Sequence, residues 1–247
     1  EAVDRRRGLA FACMMSLLLT LPVPEAALET DMPLQVEVEA GKRRDEVPLV
    51  ALTFDDGPRR DTTGPLLDGL ALREVPATFF LVGNRIPGNE ELIRRMRADG
   101  HQIGVHTFEH IVITDLSHRD FDLQVGKTRA LLTGVLGEGD FWLRPPYGIV
   151  DESVAKWSDC PLILWSVDPE DWKDQDVDRI VAAVVEHVED GDIILMHDIY
   201  HSSVEAALRV VDTLLGQGYC FATVEQLMAE RGVEPEDGAI YRSLPGI

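Results

Sequence analysis

The sequence is short of cysteine and of basic residues. Only three of its 247 residues are cysteine, and 23 lysines and arginines stand against 44 aspartates and glutamates, for a formal net charge of −21. No cysteine pair has the spacing of a cysteine-ligated zinc site or of a C-x-x-C redox motif, so we expect neither kind of cysteine site. A surface this acidic repels phosphate backbones, so we expect no nucleic-acid partner. The acidity fits either solubility or tolerance of a polycationic product, and charge alone does not separate the two.

Long apolar runs are also missing. The apolar run at residues 9–21 has about 13 residues, which is too short to span a bilayer comfortably. It follows three arginines at positions 5–7 and precedes small residues, a pattern typical of a secretory signal peptide. We therefore predict a signal peptide at residues 1–27, or alternatively an uncleaved N-terminal membrane anchor, and a linker at residues 28–46. Either reading predicts a secreted or cell-envelope protein.

Two cysteines lie outside that leader, Cys160 and Cys220. An exported protein could join them in a disulfide. Sequence alone does not show whether the two residues are close enough to be bridged. We expect two unpaired, structural thiols.

From residue 47 onward, short apolar runs rich in β-branched residues alternate with amphipathic helical stretches. The predicted strands are residues 49–53, 77–82, 102–105, 141–143, 162–167, 192–196 and 219–222. A valine-rich stretch at 177–188 repeats its apolar residues at helical spacing, and Pro65 indicates the first turn of another helix. Repeated alternation of strand and helix is typical of a parallel sheet.

Seven such units, without a glycine-rich dinucleotide-binding turn, favour a barrel over an open sheet. We therefore predict an α/β fold: an irregular, incomplete (β/α)7 barrel resembling a TIM barrel. It would form a single domain at residues 47–231, followed by a C-terminal tail at 232–247. In barrels of this kind the chemistry lies at the C-terminal ends of the strands. Polar residues at those ends are therefore the candidates for a functional site.

Two of these ends carry possible metal ligands. Asp55 and Asp56 follow the first predicted strand directly, where two carboxylates are costly unless a positive group satisfies them. Alternatively, they form a helix cap or a turn before Gly-Pro. His106 and His110 follow the third strand with the i, i+4 spacing that lets both imidazoles reach one metal ion, although such a pair also occurs on ordinary surfaces. One carboxylate and two imidazoles form a recurring ligand set for a catalytic zinc ion.

Three further strand ends carry polar groups. Arg144 precedes a rigid Pro-Pro-Tyr-Gly turn, Asp168 begins an acidic segment that ends in Trp172, and His197 emerges from an apolar run. Each has a structural explanation when it is taken alone, since proline and glycine belong in loops and a lone histidine is more often structural than catalytic.

In this order the five clusters resemble the five motifs of the polysaccharide deacetylase family, the NodB-homology domain of carbohydrate esterase family four. The matching stretches are Thr53-Phe54-Asp55-Asp56-Gly57-Pro58, His106-Thr107-x-x-His110, Arg144-Pro145-Pro146-Tyr147-Gly148, Asp168-x-x-Asp171-Trp172 and Leu195-Met196-His197-Asp198. The resemblance extends over residues 47–230, and the five motifs together are specific although none is so singly.

The resemblance implies a metal-dependent hydrolase with a single catalytic domain. Its expected substrate is an acetylated polysaccharide that contains N-acetylglucosamine, such as peptidoglycan or a chitin-like polymer, from which it would release acetate. Asp56, His106 and His110 are the expected ligands of a divalent metal ion, with zinc as the expected ion. Asp55 is the expected general base. Neighbouring residues of an extended segment point in opposite directions, which would let the two aspartates take different roles.

The same resemblance implies roles for the other motif residues. Arg144 would pair with Asp55 and orient its carboxylate. His197 would protonate the departing amine as general acid, with Asp171 as the carboxylate partner of its imidazole. The backbone N–H of Tyr147 would stabilise the oxyanion. The acetyl pocket would be formed by two further residues, Trp172 and Leu195.

Two alternatives stay open at this point. The same water attack serves an ester as well as an amide, so the motifs also fit O-deacetylation of xylan or hydrolysis of a non-sugar amide. A non-catalytic glycan-binding domain on the same fold would be favoured by loss of the base, a ligand or the acid, and the sequence retains all of them. The motifs do not distinguish between polymers, nor do they indicate an oligomeric state.

Overall fold

The computed structural model of the protein describes residues 47–246, so the predicted leader at 1–27 and the linker at 28–46 lie outside the described residues. The strands within this range are β1 (Leu49–Asp55), β2 (Thr78–Leu81), β3 (Gln102–Val105), β4 (Leu162–Ile163), β5 (Ile193–His197), β6 (Cys220–Ala222) and β7 (Ile240–Tyr241). The helices are α1 (Arg60–Leu72), α2 (Glu90–Ala98), α3 (His118–Leu136), α4 (Glu152–Trp157), α5 (Asp171–Asp174), α6 (Val177–Val185), α7 (His201–Gly216) and α8 (Val224–Glu230).

Strand β1 lies at the centre of a parallel sheet. Strands follow the order β3-β2-β1-β5, and β6 also pairs with β1. Every one of these pairings is parallel. The residues of β1 from Val50 to Phe54 are fully buried, as expected for a strand covered on both faces. Because the strands are parallel, their carboxyl ends meet at one edge of the sheet.

Isolated bridges continue this sheet into an incomplete ring. Leu143 bridges both Val105 at the end of β3 and Leu162 at the start of β4, while Val167 bridges Ile194 of β5. The chain between residues 162 and 167 therefore connects the β3 side of the sheet to β5. This arrangement confirms the predicted irregular, incomplete barrel.

Proline explains why the ring is irregular at this side. The predicted strand 141–143 is reduced to the single bridging residue Leu143, so this prediction was wrong in extent. Pro145 and Pro146 follow within three residues, and Pro161 precedes β4 directly. A proline has no N–H to donate to a strand ladder, so the strand around Leu143 does not continue past Arg144 and β4 does not begin before Leu162.

The helices follow the sequence pattern with one correction. Helix α6 buries Ile180 and Val184, as its apolar spacing predicts. Pro65, however, lies inside α1 rather than in its first turn, because the helix begins at Arg60. The hydroxyl of Thr63 accepts the backbone N–H of Arg59 at 2.9 Å. This hydrogen bond stabilises a helix start that lies five residues before Pro65.

The segment predicted as a C-terminal tail packs against the barrel. Strand β7 pairs in parallel with β4. Leu244 is 5% exposed, and its N–H donates to the carbonyl of Gly191 at 2.7 Å. Arg231 forms an ion pair with Asp190. Residues 240–244 therefore belong to the packed fold.

Cys160 has a free, buried thiol, whereas Cys220 is exposed on β6. No disulfide joins the two residues, as expected. The expected structural role fits the buried Cys160 but not the exposed Cys220. Within residues 47–246, no helix has the length and apolar character that a membrane crossing requires.

Replacing Leu244 by alanine should lower the free energy of unfolding by about 2–4 kcal/mol, because it removes a buried side chain and leaves a cavity. Urea denaturation followed by circular dichroism measures the change. Leu123→Ala is the matched control, since that leucine is 54% exposed on α3 and should change stability little. Equal stability of the Leu244→Ala variant and the wild type would show that the segment is a loosely attached tail.

Candidate active site

A buried ion pair lies at the carboxyl end of the barrel. The Nη1 atom of Arg144 donates to Oδ1 of Asp55 at 2.8 Å and to the hydroxyl of Thr53 at 2.7 Å. Arg144 is fully buried, and Asp55 is 3% exposed. Burial lowers the pKa of Arg144, while the charge and hydrogen bond of Asp55 raise it. The pair predicted from the resemblance is therefore present as a direct, desolvated contact.

Two further donors of Arg144 bond to backbone carbonyls at β4, in the irregular part of the barrel. Its Nε donates to the carbonyl of Ile163 at 3.1 Å and its Nη2 to that of Leu164 at 3.0 Å. The guanidinium also lies over the ring of Phe80, 4.2 Å from its centroid. These contacts hold Arg144, and therefore the carboxylate of Asp55, in one orientation.

Asp56, His106 and His110 form a second cluster beside this pair. Their candidate ligand atoms all lie within 4.8 Å of one another. Nε2 of His110 is 3.2 Å from Oδ1 of Asp56, and Nε2 of His106 is 3.7 Å from the same oxygen. The Nδ1–H of His106 donates to the carbonyl of Arg144 at 2.7 Å, which turns Nε2 of that imidazole toward the cluster.

The donor set of this cluster fits a divalent metal ion. Oδ1 of Asp56 is buried without a hydrogen-bond partner within the described residues. Burial and the neighbouring His106 lower the pKa of His110 against the opposing charges of Asp56 and Asp55, which favours the neutral imidazole whose lone pair can bind a metal. Two imidazoles and one unsatisfied carboxylate oxygen are the ligands that a zinc-type ion takes in catalytic sites.

His197 and Asp171 form a third group. Oδ1 of Asp171 is 2.7 Å from Nδ1 of His197, and Oδ2 accepts the backbone N–H of His197 at 2.8 Å. Asp171 is fully buried at the start of α5. Burial alone would lower the pKa of His197, but the hydrogen bond and charge of Asp171, with Asp55 and Asp56, raise it to about 9. His197 is therefore an imidazolium near neutral pH.

Three residues predicted to contact substrate surround these groups. Tyr147 is 59% exposed, and its ring packs edge-on against His110 with the centroids 4.8 Å apart. Trp172 is 50% exposed in α5, next to Asp171. Leu195 is buried opposite Thr53, and it lies on the same face of β5 as His197, two residues before it.

Left-handed backbone conformations concentrate at this site. Asp56, His110 and Tyr147 have φ values of +76°, +53° and +62°. Such conformations are uncommon for residues other than glycine, cost of order 1–3 kcal/mol each, and often accompany functional sites. Asp56 is therefore not part of an extended segment, which corrects the expectation that strand alternation separates it from Asp55.

Two side chains outside the predicted set also contact the site. Nη1 of Arg85 donates to the backbone carbonyl of Asp56 at 2.6 Å. Asp198, which follows His197, is fully buried, and burial raises its pKa to about 7 against the opposing hydrogen bond from Thr63. Asp198 stood in a quoted motif, so its position after a strand was a usable signal, whereas no sequence pattern marks Arg85.

A cavity of about 570 Å³ lies elsewhere in the fold and contains none of these groups. Arg129, Trp142 and Cys160 are among the residues that line it. The candidate active site is therefore identified by the convergence of titratable side chains rather than by the volume of a cavity.

Comparisons with known proteins show the family of this chain. The polysaccharide deacetylase family model matches residues 42–159. The chain is 38% identical over 179 residues to the peptidoglycan-N-acetylmuramic acid deacetylase PdaC of Bacillus subtilis, covering 72% of this chain and 38% of that protein. It is 36% identical over 200 residues to the peptidoglycan-N-acetylglucosamine deacetylase PgdA of Listeria monocytogenes, covering 81% and 43%. The chain thus spans about two fifths of the length of these two relatives.

Other similar proteins are matched over most of their length. The chain is 41% identical over 155 residues to a chitooligosaccharide deacetylase of Sinorhizobium fredii, covering 61% of this chain and 72% of that protein. The solved structure of a T48 deacetylase with substrate has a TM-score of 0.76 at 40% identity and covers 79% of this chain and 96% of that chain. A family 4 acetyl xylan esterase from Clostridium thermocellum, in complex with a cobalt ion, has a TM-score of 0.76 at 32% identity and covers 80% and 99%. On this fold, this site and these similarities, the chain belongs to the polysaccharide deacetylase family.

Proposed function

We propose that this chain is a metal-dependent deacetylase that removes N-acetyl groups from a polysaccharide containing N-acetylglucosamine, either peptidoglycan or a chitin-like polymer, and releases acetate. The observation that carries the proposal is the convergence of an unsatisfied Asp–His–His cluster, a buried Asp–Arg pair and an Asp–His pair at one edge of the sheet. The relatives PgdA and the chitooligosaccharide deacetylase support the substrate class. We further propose that the enzyme acts outside the cytoplasm, which the predicted leader at residues 1–27 supports.

Asp56, His106 and His110 would hold the divalent metal, and the two imidazoles favour zinc. A divalent ion in such a site lowers the pKa of bound water toward neutrality and polarises a carbonyl oxygen. The hydrogen bond from His106 to the carbonyl of Arg144 fixes the tautomer and the direction of the ligand nitrogen.

Asp55 would act as general base and take the proton from the attacking water. One of its oxygens accepts from Arg144, while the other is 3.6 Å from Nε2 of His106 and so faces the cluster. The carboxylate is therefore held by one oxygen, and the second oxygen remains directed at the reacting groups. A general base needs a carboxylate that is oriented and still free to accept a proton, and this arrangement of the two oxygens meets both needs.

His197 would act as general acid toward the departing amine. Its imidazolium is maintained by Asp171, which contacts both Nδ1 and the backbone N–H of His197. Because Nδ1 is occupied by this contact, Nε2 is the nitrogen left to donate a proton.

Three residues would bind the acetamide and the sugar. The backbone N–H of Tyr147, on its left-handed turn, would donate to the oxyanion that forms during attack. Leu195 and Trp172 would enclose the methyl group of the acetyl moiety. The exposed aromatic faces of Tyr147 and Trp172 offer apolar surface to a sugar ring.

A second candidate function is O-deacetylation of xylan. It is favoured by the similarity to the acetyl xylan esterase of Clostridium thermocellum. The two reactions differ at the leaving group, since an amine must be protonated as it departs and an alcohol leaves with less assistance. Dependence on His197 should therefore be stronger for an amide substrate than for an ester.

Acetate release from a panel of acetylated glycans tests the proposal directly. We expect release from peptidoglycan strands or chitooligosaccharides, loss of release after treatment with a chelator, and recovery on adding Zn²⁺. Faster release from acetyl xylan than from every N-acetylated glycan would favour the esterase function. Activity that is indifferent to the chelator on every substrate would refute the metal site.

Substitutions of Asp55 and His106 should separate the role of the base from that of a metal ligand. Asp55→Asn should lower kcat by about 10²–10⁴-fold with the metal still bound, because it removes the base and keeps the ligands. His106→Ala should lose the metal as well as activity. Acetate release measures turnover, and elemental analysis of the purified protein measures bound metal.

The control for these variants must account for the buried Arg144. Removing the charge of Asp55 leaves that guanidinium without its carboxylate, which costs about 3–5 kcal/mol when a buried pair is broken, so thermal unfolding must show that the variant is folded at the assay temperature. Asp122→Asn and His118→Ala are matched controls, since both side chains form one exposed pair on α3. Wild-type turnover by Asp55→Asn would contradict its assignment as base.

Asp171→Asn should move the alkaline limb of the kcat/KM profile to lower pH. His197 is protonated below its folded-state pKa of about 9, so general acid function is present below that pH and lost as pH rises through it. Without the carboxylate, burial remains and lowers the pKa of His197. The free energy of folding that the Asp171–His197 pair contributes has the same pH dependence. It is fully present below the ordinary histidine pKa of about 6.5 and is lost as pH rises through about 9. An unchanged alkaline limb would remove His197 from the acid role.

A further inference from the structure

Asp198 is a buried acidic residue that the proposed reaction does not use. It follows His197 at the end of β5 and is fully buried. The hydroxyl of Thr63 donates to its Oδ2, while its Oδ1 has no hydrogen-bond partner within residues 47–246. A carboxyl group so placed is costly to bury, so its presence calls for an explanation in the fold or the site.

The partners of Asp198 all belong to the segment that follows the proposed ligand Asp56. The hydroxyl of Thr63 that donates to Asp198 also accepts the backbone N–H of Arg59 at 2.9 Å. A side chain added at Gly57 would overlap both carboxylate oxygens of Asp198. The carboxyl group therefore packs directly on the backbone of Gly57 and is linked through one hydroxyl to that of Arg59.

These contacts join the segments that follow β1 and β5. The first segment begins next to the proposed ligand Asp56, and the second next to the proposed acid His197. The segment 57–59 extends from the end of β1, directly after Asp56, and the carbonyl of Gly57 accepts the N–H of Val82 at 3.0 Å. Asp198 extends from the end of β5, directly after His197. Movement of Asp198 would therefore change the separation between the proposed metal ligand and the proposed acid.

We propose that Asp198 is a positioning residue: packed on Gly57 and hydrogen-bonded to Thr63, it holds the segment after Asp56 against the end of β5. It thereby sets the placement of Asp56 relative to His106, His110 and His197. The inference rests on the proposed metal site, and it acts through shape and hydrogen bonding, so the isosteric Asp198→Asn should serve nearly as well as the native residue.

Metal affinity and turnover of two variants test this role. Asp198→Ala should weaken metal binding by about 10–100-fold, the usual loss when a group supporting a ligand is removed, and should also lower kcat at saturating metal. Asp198→Asn should stay within about threefold of wild type in both, because it keeps the volume and an acceptor for Thr63. Competition with a chromogenic chelator measures the affinity without requiring turnover.

A steric rescue tests the contact with Gly57 independently. Gly57→Ala in the native background should weaken metal binding, because the new methyl group meets the Asp198 carboxyl. In the Asp198→Ala background the same substitution should cost much less, because the space is then open. Strong non-additivity in this double-mutant cycle is expected for a direct contact.

Asp140→Ala is the matched control, since Asp140 is exposed and lies outside the site, and it should leave metal affinity and kcat unchanged. Equal losses in Asp198→Asn and Asp198→Ala would show that the charge is required and would overturn the positioning role. A lower melting temperature with unchanged metal affinity would also overturn it, as would additive losses in the Gly57 cycle. If wild type released acetate from no glycan, the proposed function would fail, while the affinity measurements would still decide this inference.

Discussion

The buried guanidinium of Arg144 is the constraint on which the rest of the site depends. A fully buried arginine is unfavourable unless its donors are satisfied, and here they meet Asp55, Thr53 and two backbone carbonyls. The carbonyls belong to the consecutive residues Ile163 and Leu164. In a regular strand, consecutive carbonyls point to opposite edges of the strand, so the turn of both toward one side chain is incompatible with extending β4. The short β4 and the buried arginine are thus two aspects of one arrangement.

The same arginine connects the proposed base to the proposed metal-binding cluster. Its side chain holds Asp55, and its backbone carbonyl accepts from Nδ1 of His106. One residue therefore orients two different functional groups through two different atoms. A change at position 144 would consequently affect both, and its effects could not be assigned to base or ligand separately.

The location of the site was predictable because it follows from periodicity and direction. Parallel strands end at the same edge, so polar residues at the carboxyl ends of β1, β3 and β5 had to approach one another, and Asp55, His106 and His197 do so. The Asp171–His197 contact was not accessible in this way, because 26 residues separate the two and Asp171 lies on a short helix outside the ladder. Only the family resemblance implied that Asp171 is the partner of His197.

Two of the errors in the predicted elements share a tertiary cause. Pro65 marked a helix start by a local rule, but α1 begins five residues earlier. There the hydroxyl of Thr63 is hydrogen-bonded both to Arg59 and to Asp198, the residue after β5. Strand β7 has only two residues, and it exists because β4 offers it an edge. In both cases a contact distant in sequence decided a local structure, and local patterns carry no information about such contacts.

The separation of Asp55 from Asp56 also has a different physical origin from the one expected. Strand alternation would have pointed the two carboxylates to opposite faces of the sheet, but Asp56 has left the strand with a φ of +76°. Its carboxylate is directed at His110, and its carbonyl is held by Arg85. The left-handed conformation is what allows two adjacent carboxylates to approach the same cluster from different sides. Aspartate and asparagine adopt this conformation more readily than other residues with side chains, so the backbone at position 56 restricts the choice of residue in addition to the proposed metal ligation.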